Sequence, residues 1–525
     1  MRTVVLSGFM ATGKSTIGRL VAEKLGLPFL DTDAILAEEV GRPVGEIFAA
    51  EGEARFRDHE ARIIQPLLAD GVPRVLSFGG GSMTIPRVRH AALEAATVVT
   101  LTATPETIAA RVPSPTDRPN LGAASVLDRA RDLIALRREV YGECHASIAT
   151  DGRAPEEIAA CIVELARRDT VAIPLGVRSY VVELTHGRPD VLGAALKELA
   201  PSSIVTVTDE NLVTMRGAWL DAALASLGLR ETRIVLSPGE ANKTLASISR
   251  IWDAALSEGV DRQAVVVAFG GGVAGDLAGF AASTLLRGVR CVQVPTSLLS
   301  MVDSSVGGKT GFDHAAGKNL LGAFFQPSRV VIDLEHLKTL PPRERRAGLA
   351  EVVKIALVRE PPLLELLESR AEAIARGDRD VLRDVVRASV IAKMRVVRED
   401  EHETGARALL NLGHTLGHAL ESHGGYARWL HGEAVAIGTV LEIAAAERLG
   451  LTPAGTSERA ASLFERFGLP TTVDLATVDA AWPYVMSDKK RTLSAVKLPV
   501  VTGPGEGRVE RVELDALRAA VTGAE

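Results

Sequence analysis

Residues 8–15 read GFMATGKS, and they separate the apolar run Val4–Leu6 from a helical pattern that begins near Lys14. The stretch matches GxxxxGK[ST] in the strand–loop–helix context of a phosphate-binding loop. Backbone N–H groups of such a loop surround a β-phosphate, and the N-terminus of the next helix adds positive potential. The sequence therefore predicts a nucleotide-binding α/β domain at this point of the chain.

The loop also supplies side chains for this chemistry. Lys14 would reach the β- and γ-phosphates, and the Ser15 hydroxyl would hold Mg²⁺. The alternative is a chance glycine turn, which the strand–loop–helix context disfavours. The expected nucleotide contacts are Gly8, Gly13, Lys14, Ser15 and Thr16.

Strand-like and helix-like stretches alternate beyond the loop, with strand signals at Arg74–Phe78 and Thr97–Thr102. Such alternation predicts a parallel sheet with flanking helices. A helical pattern over Glu156–Arg168 closes this region, and a strand signal restarts at Arg178–Leu184. The first domain boundary is therefore expected near residue 170.

A second α/β pattern follows, and after Pro341 and Pro342 the composition changes to long alanine-, leucine- and arginine-rich helical stretches. At about 150 residues per domain, 525 residues correspond to roughly three to four units. We predict an α/β chain with a P-loop domain at 1–170, a Rossmann-like domain at 171–340 and an all-α domain at 341–525. The second domain's strand signals are Ser203–Val207, Arg233–Leu236, Ala264–Phe269 and Val289–Val294.

Composition excludes several classes of protein. The net charge of −6 and the 4% aromatic content argue against a nucleic-acid binder, and 46% hydrophobic residues exclude dominant disorder. No apolar span of about 18 residues is present, and the first apolar run is too short for a signal peptide. Three distant cysteines exclude a disulfide framework and a cysteine zinc site, and they fit a reducing cytoplasm.

Two carboxylates, Asp31 and Asp33, follow the strand-like Pro28–Leu30. The carboxyl edge of a strand is where α/β sites form, so one carboxylate could position Mg²⁺ and the other take the proton of an acceptor hydroxyl. The glycines at 79–81 would let a backbone approach a ligand closely. Candidate anion clamps, each more typical of a solvated surface when taken alone, are Arg57, Arg118 and Arg137.

Residues 1 to about 165 resemble shikimate kinase. The motifs are GFMATGKSTIGR (8–19), DTD (31–33), EARFR (53–57), GGG (79–81), DRP (117–119) and RREVY (137–141). The resemblance implies shikimate binding by Asp33, Arg57, Gly80 and Arg137, with Lys14, Asp33 and Arg137 catalytic. It implies Mg²⁺ near Ser15 and Asp31, and Arg118 on a lid over ATP. RPNL stands where RPLL is usual and EVY where PLY is commoner, with the polar anchors intact.

A second glycine cluster, GGGVAGD at 270–276, follows a strand signal and contains GxGxxG. The dinucleotide fingerprint also requires an acidic residue about 20 positions later, where this chain has CVQV at 291–294. Two interpretations therefore stay open: the loop is only a tight turn, or NAD binds in a non-standard manner.

His414 and His418 are four residues apart, which places both on one helix face. His431 and Glu351 complete a set of imidazoles and a carboxylate that suits a catalytic zinc ion. The motif lacks the glutamate of HExxH, and surface or capping histidines are the alternative. Basic residues that suit a substrate with phosphate and carboxylate groups are Lys309, Lys318, Lys354, Lys393, Arg407, Lys489 and Lys490.

Residues from about 175 to 520 resemble 3-dehydroquinate synthase over nearly the full family length. The motifs are TDENL (208–212), PGEANKT (238–244), GGGVAGDLAGF (270–280), PTSLLSMVDSSVGGKT (295–310), GKNLLGAF (317–324), LKTLP (337–341), GLAEVVK (348–354), NLGHTLGHALE (411–421), HGEAVAIG (431–438) and DKK (488–490).

This resemblance implies three sets of contacts, and a homodimer in which Arg287 reaches the partner's site. The implied NAD contacts are Asp209, Asn211, Glu240, Lys243, Gly272, Val273, Gly275, Asp276, Thr296, Ser297, Lys309, Lys318, Leu337, Lys338 and Thr339. The implied metal ligands are Glu351, His414 and His431. The implied substrate contacts are Asp303, Lys309, Lys318, Asn319, Lys354, Lys393, Arg407, Asn411 and His418.

Together the resemblances imply a bifunctional enzyme of aromatic amino acid biosynthesis. One half would phosphorylate shikimate with ATP and Mg²⁺, and the other would convert a seven-carbon keto-acid phosphate to 3-dehydroquinate with recycled NAD⁺ and Zn²⁺ or Co²⁺. One alternative is a kinase fused to a different sugar-phosphate cyclase or to a zinc polyol dehydrogenase. Another is that one domain is catalytically degenerate. No nucleic-acid or membrane partner is expected.

Overall fold

The computed structural model describes residues 1–112, 126–315, 317–485, 491–492 and 494–523. The chain forms two compact units, Met1–Glu183 and Leu184–Glu525. The further division of the second unit at residue 340 stays a prediction. Within the described ranges, no helix combines the length and apolarity that crossing a bilayer requires.

The first unit is built around parallel strands. Strands here are β1 Thr3–Gly8, β2 Phe29–Asp31, β3 Val75–Ser77, β4 Ala96–Thr102, β5 Ala146–Ala149, β6 Asp169–Ile173 and β7 Tyr180–Thr185, which ends just past Glu183. Helices here are α1 Lys14–Leu25, α2 Thr32–Val40, α3 Val44–Ala69, α4 Pro86–Ala95, α5 Pro105–Arg111, α6 Val126–Leu136, α7 Arg138–Gly142 and α8 Pro155–Ala166. Five strands form a parallel sheet in the order β2-β3-β1-β4-β5.

Strand β1 lies in the middle of that sheet and is buried over its whole length. Val4 and Leu6 pack in one core with α1 and α8, whereas Val5 packs in another with α3 and α4. A strand buried on both faces reads as a continuous apolar run, which is how β1 appears in the sequence. The phosphate-loop motif therefore leaves the sheet at its centre.

The second unit carries the remaining elements. Strands here are β8 Ile204–Asp209, β9 Glu231–Leu236, β10 Val265–Gly270, β11 Arg290–Pro295, β12 Lys309–His314, β13 Gly317–Phe324, β14 Arg329–Asp333, β15 Arg491–Thr492, β16 Ala495–Gly503 and β17 Glu506–Glu513. Helices here are α9 Pro189–Leu199, α10 Glu210–Leu224, α11 Leu245–Ser257, α12 Gly272–Thr284, α13 Pro342–Arg359, α14 Pro361–Ser369, α15 Ala371–Arg376, α16 Arg379–Glu399, α17 His414–His423, α18 His431–Arg448, α19 Thr456–Arg466, α20 Leu475–Val485 and α21 Leu514–Thr522.

Strands β14-β11-β10-β8-β9 are neighbours in that order, and their registers are parallel. Helices cover both faces, since Val265 and Val267 pack with α9 and α10, and Val266 packs with α11 and α12. The Rossmann-like α/β arrangement predicted from the sequence is confirmed. The region expected to be all-α is mainly helical, but it also contains the antiparallel strands β15-β16-β17.

Helices α17 and α18 approach each other backbone to backbone. Gly413 precedes α17 with φ +78°, and a side chain there would overlap the Thr439 hydroxyl. A side chain at Gly438 would overlap the carbonyl of Gly413, and one at Gly417 would lie 3.1 Å from the Ala434 carbonyl. These glycines fix the two helices that carry His414 and His431, so the distance between the imidazoles is set by main-chain packing.

Candidate active sites

The phosphate loop of the first unit has the backbone geometry that its glycines permit. Gly8 and Gly13 have φ values of +128° and +89°, and a side chain at Gly8 would overlap the Leu101 carbonyl. Helix α1 begins at Lys14 with no side-chain cap, as expected of a helix N-terminus that binds an anion. The Lys14 ammonium is buried in the loop and donates to the carbonyls of Gly8 (3.0 Å) and Phe9 (2.8 Å).

Ser15 and Asp31, the two residues predicted at the Mg²⁺, are in contact. The Ser15 hydroxyl donates to Asp31 Oδ2 at 2.6 Å. The other oxygen, Oδ1, accepts from the N–H groups of Asp33 (3.1 Å) and Ala34 (3.4 Å), which caps α2. Asp31 is therefore fixed by the helix that it caps, with Oδ2 directed at the loop hydroxyl. Thr16 lies exposed in the first turn of α1.

The glycines at 79–81 bring the predicted acceptor residues together. A side chain at Gly79 would lie 2.5 Å from Asp33 Oδ1, and one at Gly81 would overlap the Arg57 guanidinium. Arg57 is held by Glu60 (2.5 Å) and Glu53 (2.9 Å). The absence of side chains at Gly79 and Gly81 therefore lets the backbone lie beside Asp33 and Arg57, and its predicted approach to a ligand stays a prediction.

The opposite side of these glycines is held by Arg137 and Tyr141. The Arg137 guanidinium donates to the Gly80 carbonyl at 3.1 Å, and the Tyr141 hydroxyl donates to the same oxygen at 2.6 Å. Burial raises the pKa of Tyr141, so its hydroxyl stays protonated as a donor. Asp33, Arg57 and Arg137 thus surround the backbone segment that contains Gly80, while Arg118 lies outside the described residues.

If Arg57 pairs with a shikimate carboxylate, as the family resemblance implies, replacing Gly81 with Ala is expected to raise the KM for shikimate by about tenfold or more, because the new methyl group would displace the Arg57 guanidinium. Steady-state kinase assays at saturating ATP measure this change. Arg57→Ala provides the comparison, since both changes act on the same interaction and should not add in the double variant. Full additivity would contradict the explanation.

In the second unit, the glycine cluster at 270–276 forms the strand–turn–helix that the fingerprint requires. Gly270 ends β10 and Gly272 begins α12. Where the acidic residue would be expected, Gln293 instead donates to the Gly275 carbonyl at 3.1 Å. The structure thus places a helix N-terminus at this turn and Gln293 where the fingerprint has an acidic residue, and non-standard binding of NAD there stays a prediction.

Several predicted nucleotide and substrate residues meet beside this turn. Lys243 is buried and contacts Asp276 Oδ2 and Asn319 Oδ1, both at 2.6 Å. Lys318 lies 3.4 Å from Glu240 Oε1. Opposite charges thus connect the turn Glu240–Asn242, helix α12 and the hairpin β12–β13.

The other predicted nucleotide residues have local roles in the structure. Asp209 caps α10 by accepting from the Leu212 N–H at 3.1 Å, and burial raises its pKa. Asn211 on α10, Lys338 and Arg287 are exposed, and Arg287 has φ +68°, whereas Val273 on α12 is half-buried and Leu337 is buried. The other three make hydrogen bonds: the Thr296 N–H donates to the Gly270 carbonyl, the Ser297 hydroxyl contacts Ser300, and the Thr339 hydroxyl accepts from Arg216.

Glu351 on α13, His414 at the start of α17 and His431 at the start of α18 form one cluster. Their ligand atoms lie within 4.8 Å of one another. Glu351 Oε1 is 3.6 Å from His414 Nε2 and 3.5 Å from His431 Nε2. The consecutive helices α17 and α18 and the more distant α13 therefore direct two imidazoles and one carboxylate to a common point.

The Glu351 carboxylate is buried, and its two oxygens have different surroundings. Lys354 holds Oε2, whereas Oε1 accepts no hydrogen bond from any described residue. The second ring nitrogens have partners, since His414 Nδ1 lies 3.2 Å from the Leu412 carbonyl and His431 Nδ1 lies 3.0 Å from Glu421 Oε2. This orientation leaves both Nε2 atoms facing Glu351, as the ligands of a zinc-type metal centre require.

Family models match both parts of the chain. The shikimate kinase model matches residues 10–167, and models of the N- and C-terminal parts of 3-dehydroquinate synthase match residues 233–347 and 348–491. The 3-dehydroquinate synthase of Pseudomonas fluorescens is 42% identical over 341 residues, which are 65% of this chain and 93% of the relative. That of Geobacter metallireducens is 44% identical over 346 residues, 66% of this chain and 96% of the relative.

The chain belongs to the 3-dehydroquinate synthase family. A shikimate kinase domain precedes the synthase domains. Among solved structures, 2-epi-5-epi-valiolone synthase from Streptomyces hygroscopicus, with NAD⁺ and Zn²⁺ bound, is 29% identical with a TM-score of 0.59, covering 66% of this chain and 96% of its own. The predicted membership of both families is confirmed.

The synthase's predicted substrate residues form local ion pairs and hydrogen bonds, and His418 lies beside the predicted metal ligands. Asp303, in a π-helical turn at Ser300–Ser304, contacts Lys393 at 2.5 Å. Lys309 lies 2.6 Å from Glu403, which also accepts from the Asn411 amide at 3.0 Å. His418 is exposed, with its ring centroid 5.0 Å from that of His414 and 5.9 Å from that of His431.

The Arg407 side chain, like that of Lys393, is almost fully buried. Its guanidinium donates to the carbonyls of Gly307 (3.2 Å) and Glu401 (2.7 Å). Asp400 fixes the segment by accepting from the Gly405 N–H at 2.7 Å and the Arg407 N–H at 3.0 Å. Contact of Arg407 with substrate stays a prediction, and Lys489 and Lys490 lie outside the described residues.

Four carboxylates near the sites were not predicted from the sequence. Glu442, fully buried on α18, accepts from the N–H groups of Gly413 (2.7 Å) and Leu416 (2.9 Å) and so holds the helix that begins at His414. In the kinase, Glu60 accepts from the Ser82 hydroxyl at 2.5 Å as well as from Arg57. The others are Glu403 and Glu421. Their sequence signal is limited to position, since each of these glutamates lies close to a recognised motif.

The synthase kcat/KM is expected to fall as pH rises through about 8. Burial, with Arg407 and Lys309 nearby, lowers the pKa of Lys393 to about 8 despite its contact with Asp303, so the ammonium is lost above that pH. Lys393→Arg should move this limb to higher pH, because a guanidinium stays protonated. A pH profile of phosphate release measures both forms. An unchanged basic limb in the Arg variant would contradict the assignment.

Proposed function

We propose roles for individual residues in two reactions. The chain is a bifunctional enzyme of the shikimate pathway, acting as a shikimate kinase and as a 3-dehydroquinate synthase. The kinase phosphorylates shikimate with ATP. The synthase converts 3-deoxy-D-arabino-heptulosonate 7-phosphate to 3-dehydroquinate and phosphate. The observation that carries the synthase assignment is Glu351 Oε1, buried without a hydrogen bond from a described residue and facing two imidazoles.

In the kinase, the loop amides and Lys14 hold the β- and γ-phosphates of ATP, and Ser15 and Asp31 hold Mg²⁺. Arg57 and Arg137 pair with the shikimate carboxylate, which fixes the substrate beside the glycines. Asp33 accepts the proton of the hydroxyl that attacks the γ-phosphorus, and the bond to the β-phosphate oxygen breaks to release ADP. The contacts around Gly79–Gly81 support this arrangement.

The synthase would take NAD⁺ for reversible hydride chemistry and Zn²⁺ or Co²⁺ for polarising a substrate hydroxyl, and the roles of its own residues follow from the contacts described above. Glu351, His414 and His431 hold the metal. Lys354, Lys393 and Lys309 bind the anionic groups of the substrate, assisted by Asn319, Asn411 and His418. Asp303 keeps Lys393 oriented, since that ammonium contacts both its carboxylate and its carbonyl oxygen at 2.5 Å.

The turn at 270–276 would hold the nucleotide, because the N-terminus of α12 favours an anionic phosphate group. Lys243 and Asp276 fix the neighbouring hairpin through Asn319. The remaining contacts are those implied by the family resemblance.

We also propose a homodimer through the second unit and a cytoplasmic location. Arg287 is exposed on a turn with left-handed backbone, which suits a side chain presented to a partner. Three free cysteines suit a reducing compartment. Light scattering of the purified protein, with Arg287→Ala as a comparison in the synthase assay, tests the dimer and the role of Arg287 within it.

Phosphate release from 3-deoxy-D-arabino-heptulosonate 7-phosphate tests the synthase assignment, with added NAD⁺ and Zn²⁺ and with or without prior chelation. NADH absorbance is followed in the same sample. We expect chelator-sensitive phosphate release without net NADH, because the hydride is returned. Net NADH with a polyol would indicate a dehydrogenase instead. Absence of release by folded, metal-loaded protein would refute the substrate.

A further inference from the structure

Glu421 on α17 has no role in the reactions described above, yet it connects the two halves of the synthase site. Its side chain is nearly fully buried. Oε2 lies 3.0 Å from His431 Nδ1, and Oε1 lies 3.4 Å from Lys318 Nζ. One carboxylate therefore contacts a proposed metal ligand and a lysine of the hairpin β12–β13.

On the metal side, Glu421 determines how His431 presents its ring. By accepting a hydrogen bond from the Nδ1–H group of His431, Glu421 fixes the tautomer in which the Nε2 lone pair faces Glu351, 3.5 Å away. His418, Glu421 and His431 also lie within 4.8 Å of one another and form a second candidate metal group. Both Glu421 oxygens already have partners, whereas Glu351 Oε1 accepts no hydrogen bond from a described residue. Glu421 therefore orients the ligand.

On the nucleotide side, the Lys318 ammonium has two carboxylates and an aromatic ring as neighbours. It lies 3.4 Å from Glu421 Oε1 and 3.4 Å from Glu240 Oε1, and 4.2 Å from the centre of the Tyr426 ring. Glu240 belongs to the turn beside Lys243 and α12. Lys318 thus forms ion pairs both with helix α17 and with the turn Glu240–Asn242.

We propose that Glu421 is a positioning residue that aligns His431 for the metal and couples metal occupancy to nucleotide binding through Lys318. A divalent cation on His431 offsets the charge of Glu421, which weakens its hold on Lys318 and leaves the ammonium to the anionic nucleotide. Metal should therefore tighten NAD⁺ binding, and NAD⁺ should tighten metal binding by the same factor. This inference rests on the metal and nucleotide assignments of the proposed function.

Calorimetric titration of the full chain tests the coupling, with Zn²⁺ added with and without NAD⁺, and NAD⁺ with and without Zn²⁺. In the wild type we expect saturating Zn²⁺ to lower the Kd for NAD⁺ by at least about fivefold. In Glu421→Gln the Kd for Zn²⁺ should rise by about 10–100-fold. The Kd for NAD⁺ in that variant should be the same with and without Zn²⁺, within about twofold. Glu368→Gln, which removes a carboxylate paired with Arg459 on another helix, serves as the control.

Lys318→Met separates the two roles of Glu421. Lys318→Met should abolish the coupling between Zn²⁺ and NAD⁺ binding while leaving the Zn²⁺ affinity and the visible absorption of the Co²⁺-loaded protein unchanged. Glu421→Gln should alter the Zn²⁺ affinity and that absorption. The proposal is overturned if the wild type shows no coupling, if Glu421→Gln keeps wild-type Zn²⁺ affinity, or if it keeps the coupling. Coupled binding in a wild type that releases no phosphate would support this role and refute only the proposed substrate.

Discussion

Replacing Glu351 with Gln is expected to reduce synthase activity by more than about 100-fold. Changing a residue that only hydrogen-bonds to a metal ligand already costs up to about 100-fold, and loss of a ligand should cost more. Gln keeps the size of the side chain but removes the charge that a divalent cation requires at the Oε1 position. It also leaves the ammonium of Lys354, which contacts Oε2, without its buried counter-charge. Kinase activity should be unchanged.

Phosphate release and metal content of the purified variant measure the effect. Glu344→Gln, an exposed glutamate on the same helix, is the matched control and should retain both. Chelation of the wild type should reproduce the loss, and added Zn²⁺ should restore the wild type more fully than the variant. A Glu351→Gln protein that binds Zn²⁺ with wild-type affinity and releases phosphate normally would contradict the metal assignment.

The kinase site was largely predictable because its chemistry is encoded in short stretches. The loop at 8–15, the carboxylates Asp31 and Asp33 and the glycines at 79–81 each follow a strand of one parallel sheet. Since the carboxyl ends of parallel strands lie at one edge, local motifs predict a shared site. Glu60 was not predicted because its role is to contact Arg57 and Ser82, and these residues meet only when α3 has folded.

The synthase site shows where spacing is insufficient. His414 and His418 share a helix face, as the four-residue spacing predicted, but His414 is buried beside Glu351 while His418 is exposed. His431 completes the cluster only because the glycines at 413, 417 and 438 allow α17 and α18 to touch. No periodicity identifies which of several glutamates will contact an imidazole, as Glu421 does, or accept from a helix N-terminus, as Glu442 does, so both were recognised only in the folded structure.

Replacing Lys14 with Met is expected to lower the kinase kcat by about 10²–10³-fold, the range for removing one donor that stabilises developing charge. In the structure the ammonium donates to the carbonyls of Gly8 and Phe9. It therefore sits within the loop and can transfer its hydrogen bonds to the β- and γ-phosphates. Met keeps the length and apolar stem of the side chain, so the loop should still fold around it.

Coupled measurement of ADP production with saturating shikimate tests this expectation, and phosphate release by the synthase in the same preparation is the internal control. Because Lys14 lies in the first compact unit and the metal cluster lies in the second, the synthase rate should be unaffected. The two substitutions, Lys14→Met and Glu351→Gln, should then each abolish a different activity. Loss of both activities in Lys14→Met would show that the substitution disrupts folding, and an unchanged kinase kcat would contradict the role of Lys14 at the phosphates.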